Sequence, residues 1–256
     1  MKLEDVMQSA RMKVERANRH IDEMVAFQAA PRKELYRLRV SNRSVAALRE
    51  PDCDQLTYFP KKPISKHAGA IIGDTVNNLR ESLDLWVNAA ARCVGPRKKL
   101  HFPFTAERKD LERSKSFGAV KKAFPNAAKF ISKEIEPCRD TNLHLWAATS
   151  LCNNNKHNDF IPVVGISEVN AKRILVGGQV FEELSAGGNA DTPQVLFRAP
   201  FESLTIEGDL KIAFEISFPK GAIFEYQPVV PTLLQMSEVV SQSLDALERF
   251  ITPYCR

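Results

Sequence analysis

The chain has 256 residues, 44% hydrophobic and 26% charged, with a net charge of +5. These are globular proportions, enough for one large core or two small ones. They exclude low-complexity and collagen-like chains, and no apolar run reaches the ~18 residues of a membrane span. The charge permits a polyanionic partner without requiring one.

The first element is a long helix. Leu3, Met7, Ala10, Val14, Ala17, Ile21 and Met24 recur every three or four residues, and Pro31 ends the run. Such a seam packs within its own domain or against a second copy, so a homodimer through this N-terminal helix is one expectation. Glu34 to Val40 alternates as a strand. Arg49 to Pro63 reads as a loop, with a short strand at Leu56–Phe59. A second long helix starts near Ser65 and runs to about Val94, where Gly95-Pro96 stops it; its stripe is Ile72, Val76, Leu79, Leu83, Trp86 and Ala90.

Residues 97 to 140 read as short helices broken by Pro103, Pro125 and Pro137, rich in Lys and Arg. A helix from about Thr141 carries Leu143, Trp146 and Leu151 and ends in Leu151-Cys-Asn-Asn-Asn-Lys-His-Asn-Asp-Phe160. The texture then becomes β-prone, with runs at Phe160–Val164, Arg173–Val176, Gln179–Phe181, Val195–Phe197, Leu210–Phe218 and Ala222–Tyr226. Turns at Gly187-Gly188-Asn189, Gly208-Asp209 and Lys220-Gly221 punctuate them. Pro231 opens a last helix with the stripe Leu233, Met236, Val240, Leu244, Leu247 and Ile251. The expected fold class is α+β: a helical body over 1–158, an antiparallel meander over 159–228, and a C-terminal helix over 229–256 returning to the body.

Five cysteines, an odd number with no C-x-x-C spacing, argue against a disulfide framework or a zinc knuckle. The opening MKLEDVMQSARMKVER lacks the apolar stretch of a signal peptide. The expectation is a reduced, cytoplasmic setting with no membrane partner. His101, His144 and His157 are scattered, without metal-ligand spacing, and there is no phosphate-binding glycine loop or nucleophile elbow. No cofactor or metal is therefore expected.

Three groups of residues carry candidate chemistry. Asn77, Arg80, Asp84 and Asn88 share one helix face, with Arg80 and Asp84 placed as an i, i+4 ion pair. The face is either solvated or a row lining a pocket in which Arg80 holds phosphate. In the Asn-rich stretch, Asn155, Lys156 and His157 suit a helix C-terminus, where carbonyls need donors. Three successive amides exceed what a cap needs, and His157 can act as acid or base near neutral pH. Arg139 and His144 are spaced as in R-x4-H, with an Asp cap and a packed histidine as the plain alternative.

These residues resemble known elements. Gly73-Asp74…Asn78-Leu79-Arg80…Leu83-Asp84 is similar to the G-D-x-x-H-N-L-R-x-x-L-D-H element of a widespread family of uncharacterised bacterial proteins, and Asn153 to Asn158 to its N-x-D-K-H-R element. The first element's usual R-x4-H form invites comparison with HEPN ribonuclease domains. The resemblance covers roughly residues 1 to 165. This chain has Asn77 and Leu85 where the family carries His, Asn155 for Asp and Asn158 for Arg. The resemblance implies that Arg80, Asp84, Lys156 and His157 converge between two helices. Two functions follow as expectations. One is a non-enzymatic binding or scaffold protein with a polar pocket. The other is a HEPN-like RNA-binding protein or metal-independent endoribonuclease of a bacterial defence or stress system, with Arg80 and Lys156 on phosphate and His157 as acid/base. RNA or another phosphate-bearing ligand is the expected partner.

Overall fold

A computed structural model describes residues 3–29, 36–41, 53–61, 65–95, 99–157, 163–181, 191–200, 202–218 and 220–255, with the backbone alone at 3–6, 65, 153–157, 163–174, 181 and 206–214. The fold is α+β, and the chain divides into two units. Unit 1 gathers residues 1–23, 70–160 and 230–256; unit 2 gathers 24–69 and 161–229. The division therefore differs from a continuous body over 1–158, because residues 24–69 join the sheets.

Unit 1 is built on four helices: α1 (Leu3–Ala29), α2 (Ser65–Cys93), α6 (Leu143–His157) and α7 (Val229–Ile251). The apolar stripes explain the packing. Met7, Ala10, Ala17, Ile21 and Met24 of α1 are buried, as are Leu79, Leu83 and Trp86 of α2 and Leu233 through Ile251 of α7 at helical spacing. Polar contacts fix which helices meet. Arg11 of α1 pairs with Asp245 (2.8 Å) and Glu248 of α7, and these two carboxylates raise its pKa further. Ser237 donates to Asn18 at 2.5 Å, and Lys13 pairs with Glu81 of α2. The α1 seam that a dimer would need is thus occupied within the chain.

Between α2 and α6 run three short helices, α3 (Arg108–Leu111), α4 (Lys115–Ala123) and α5 (Pro125–Phe130), then one turn of π-helix, Ile131–Ile135. Ser114 caps α4 by accepting from the Phe117 N–H, and Pro125 opens α5. Asn142 accepts from the Leu145 N–H, so α6 starts at Leu143 rather than Thr141.

A disulfide joins Cys93, the last residue of α2, to Cys255, with Cα atoms 5.2 Å apart. This corrects the reading from cysteine count. An odd total and the absence of C-x-x-C say nothing against one pair 162 residues apart.

Unit 2 holds two antiparallel three-stranded sheets. One has the order β1 (Tyr36–Ser41), β2 (Cys53–Pro60), β5 (Gln194–Pro200). The other has the order β4 (Gln179–Phe181), β3 (Val163–Val176), β6 (Leu204–Ser217). The strands near the C-terminus are not one meander, since β5 pairs with β2 from the first quarter of the chain, Leu56 opposite Phe197. β2 occupies much of the segment expected to be a loop. Its polar Asp54, Gln55 and Thr57 are buried, and Asp54 accepts from the Leu204 N–H at 2.9 Å. Gly177 and Gly178, both at positive φ, make the two-residue β3–β4 turn, a conformation open to glycine at no steric cost.

The strand expected at Ala222–Tyr226 is a turn. Tyr226 N donates to Phe218 O and Phe218 N to Gln227 O, and Phe224 is buried against Phe218. Glu34, Arg49 to Asp52, Asn158 to Pro162 and Gly187-Gly188-Asn189 lie outside the described residues.

Candidate functional site

The site grows from the polar face of α2. Arg80 and Asp84 form the expected i, i+4 pair, Nη2 to Oδ1 at 3.2 Å and Nε to Oδ2 at 3.4 Å. Arg80 also reaches out of its helix. Nη1 donates to Thr149 Oγ1 of α6 at 2.5 Å, Nη2 donates to Phe102 O at 3.3 Å, and the guanidinium lies 4.6 Å from the Phe104 ring centroid. Most of its N–H groups are engaged, and its side chain is only 16% exposed. This is a fork used as a fastener, something a lysine point charge cannot reproduce.

Asp84 gathers two more partners from the segment after α2. The Phe102 N–H donates to Oδ1 at 2.7 Å, and His101 Nδ1 lies 3.2 Å from Oδ2. Facing a carboxylate, Nδ1 carries the hydrogen, which leaves Nε2 as the basic nitrogen. His101 is 58% exposed, against 21% for Asp84, so the carboxylate orients an imidazole that solvent and ligands can reach. Asn88, one turn on, accepts from the Leu100 N–H (2.8 Å) and donates to Leu100 O (2.7 Å), pinning the same segment.

A cavity of about 390 Å³ opens here. Arg80, His101, Phe104 and Trp146 line it, together with the hydroxyls of Thr105, Ser116, Thr149 and Ser150. The Arg139 guanidinium sits 5.7 Å from the Trp146 ring centroid. Arg139 is carried there by the backbone, its N–H donating to Thr105 O at 3.2 Å. Beside Thr105 lies the Cys138 thiol. Burial pushes its pKa up, so it stays protonated and poorly reactive near neutral pH.

Of the residues singled out from sequence, Arg80 lines this pocket, Asp84 holds Arg80 and His101 beside it, and Arg139 packs against the Trp146 ring without itself lining the cavity. Asn77 does not line it. Its amide donates to Glu81 at 3.2 Å, and its Oδ1 accepts from the Cys152 thiol of α6 at 3.5 Å. That contact does bring the start of the Asn-rich stretch against the α2 row. His144 is half-buried in the first turn of α6 and is not among the lining residues. The side chains of Asn155, Lys156 and His157 lie outside the described residues, although their backbone completes α6.

Sequence reasoning missed His101 and the hydroxyl wall. The available signal was Leu100-His101-Phe102-Pro103-Phe104, in which Leu100 and Phe102 are buried and His101 between them is exposed. Among the described residues, no cluster of three or more His, Cys, Asp or Glu could hold a metal ion, and no helix is long and apolar enough to cross a membrane. Comparison with protein-family profiles, curated proteins and solved structures gives no match to this chain.

Proposed function

We propose that the chain is a non-enzymatic binding protein whose ligand carries a phosphate and docks in the Arg80–His101 pocket. The observation that carries this reading is Asp84, which takes hydrogen bonds from Arg80, His101 and the Phe102 backbone at once. That convergence holds a reachable imidazole at the wall of a cavity lined by aromatic and hydroxyl-bearing residues, one of which, Trp146, packs against a second cation, Arg139. Arg80 and Asp84 offset each other in charge. The positive balance for an anion therefore comes from Arg139 and from His101 when it is protonated. Hydroxyls and ring faces suit the sugar and base of a short RNA.

Fluorescence anisotropy of a labelled single-stranded RNA hexamer tests this. We expect saturable binding that weakens with added salt and falls at least tenfold in His101→Ala/Arg139→Ala. Binding absent at millimolar protein, or untouched by the double variant, overturns the reading.

A second reading has its own observation. The Asp84–His101 pair beside a fixed arginine is an arrangement able to take a proton from a ribose 2′-hydroxyl and offset charge on the phosphate, as a metal-independent ribonuclease requires. This would keep the chemistry implied by the HEPN-like resemblance while moving the acid/base role from His157 to His101. Labelled total RNA incubated with wild type and with His101→Ala decides it: cleavage present in the first and lost in the second supports it. Wild-type cleavage no higher than a mock preparation sinks it.

A cytoplasmic location belongs to these proposals and is to be weighed against the Cys93–Cys255 bridge. A homodimer through the α1 seam is not carried forward, because that seam is buried in the chain itself.

A further inference from the structure

We propose a second ligand site in unit 1, in the notch between the π-turn Ile131–Ile135 and the end of α7, that takes a flat aromatic ring bearing a phosphate. The floor is aromatic. Phe130 and Phe250 stack at 4.5 Å between centroids, and Tyr254 packs 5.4 Å from Phe250 and edge-on to Phe124 at 4.9 Å. Aromatic side chains normally bury such faces, yet Tyr254 is 36% exposed and the cluster borders a cavity of about 240 Å³. That is below the roughly 300–1,000 Å³ of pockets for drug-sized ligands and suits a single ring system.

Two exposed lysines, Lys129 and Lys133, stand on the rim, and neither has an ion-pair partner among the described residues. A ring stacked on the floor would place its phosphate within their reach. Glu134, also lining the notch, suits the N–H edge of a base, a group phosphate alone would lack. The combination of stacking faces, cations and one acceptor is the chemistry that recognises a nucleotide unit.

The backbone here is unusual for a surface that only closes a core. A π-turn widens the helix by one residue; such turns occur mostly singly and frequently at functional sites. This one supplies Lys133 and Glu134 and ends on Glu136 at φ 48°, whose N–H donates to Ile131 O at 2.9 Å. It is held in shape by Arg108, which donates to Ser132 O (3.2 Å) and pairs with Glu136 (2.7 Å). The opposite wall is fixed as well: Asn126 donates to the Tyr254 hydroxyl at 3.1 Å, and the neighbouring Cys255 is bonded to Cys93. A rigid aromatic floor costs a ligand little ordering on binding.

This site shares no lining residue with the Arg80–His101 pocket, so the two proposals fail separately. The experiment titrates the full-length oxidised chain with adenosine 5′-monophosphate and follows amide shifts by NMR. We expect saturable shifts at residues 126–134 and 250–255, separable from any at the Arg80–His101 pocket. We also expect at least tenfold weaker binding in Lys129→Gln/Lys133→Gln, whose exposed side chains can change without disturbing the fold, and in Phe250→Leu. His101→Ala should leave the affinity read at residues 126–134 and 250–255 unchanged. Inorganic phosphate should bind more weakly than the nucleotide, because it cannot stack. A six-residue single-stranded oligonucleotide run in parallel assigns the source: tighter binding than the monophosphate points to nucleic acid, equal or weaker binding to a free nucleotide. No shifts at residues 126–134 and 250–255 at millimolar nucleotide, or an affinity read there that is indifferent to the lysine pair, overturns the proposal.

Discussion

Arg80 and His101 share one carboxylate and have opposite roles, and substitution should separate them. Arg80 is mostly buried and fastens α2 to α6 and to the Phe102 carbonyl. Removing it leaves Asp84, Thr149 and that carbonyl each short of a donor. Arg80→Ala should therefore lower the stability of unit 1 by on the order of 2 kcal/mol, and Arg80→Lys should recover only part of it. His101 is mostly exposed, so His101→Ala should fall within about 0.5 kcal/mol of wild type. Urea titrations of the three variants check this, and a destabilisation of His101→Ala equal to that of Arg80→Ala would make the histidine structural. The Arg80–Asp84 pair was readable from sequence because i, i+4 spacing is a local rule. His101 was not, because it reaches Asp84 from 17 positions away through a turn of chain that no periodicity describes.

The segment from Leu100 to Phe104 is the element that turns a helix face into a pocket. It has no regular secondary structure and depends on side chains of α2 for its position. Asn88 satisfies both backbone groups of Leu100, and Asp84 satisfies the Phe102 N–H. Asn88→Ala should thus speed amide exchange at Leu100 by tenfold or more and cost about 1–2 kcal/mol, while the Phe102 amide, held by Asp84, keeps its protection. Unchanged exchange at Leu100 would show that Phe102 and Pro103 alone hold the segment.

The same contrast between local and distant partners explains which elements were legible. The stripes of α1, α2 and α7 announce themselves in sequence; α1 and α2 end within a residue or two of expectation, while α7 stops at Ile251, short of the expected 256. β2 did so only over Leu56–Phe59, since the buried aspartate before it reads as loop until its partner, the Leu204 N–H 150 residues away, is known. Ala222–Tyr226 reads as a strand because it is a short run of β-prone residues. Positive φ at Gly221 and Tyr226 bends it into a turn that buries Phe224.

At the scale of the whole chain, unit 1 is assembled from three stretches far apart in sequence, and the Cys93–Cys255 bridge joins the second to the third. Closing a loop across 162 positions removes much freedom from the unfolded chain, roughly 5 kcal/mol by the chain-entropy estimate, with 2–4 kcal/mol typical of measured bridges. Cys53, Cys138 and Cys152 are free, and the latter two are buried. Alkylation of the denatured protein without reductant should therefore label three cysteines, and five after reduction. Reduction, or Cys93→Ser/Cys255→Ser, should lower the unfolding midpoint of unit 1 by an amount equivalent to about 2–4 kcal/mol and should loosen Tyr254, weakening any ligand stacked on Phe250. The same count on protein alkylated directly in the cell bears on location. Three labelled cysteines would place folding in an oxidising setting, contrary to the expectation from cysteine spacing. Five would mean that the pair stays reduced there, and that the bridge forms only when the protein meets an oxidant.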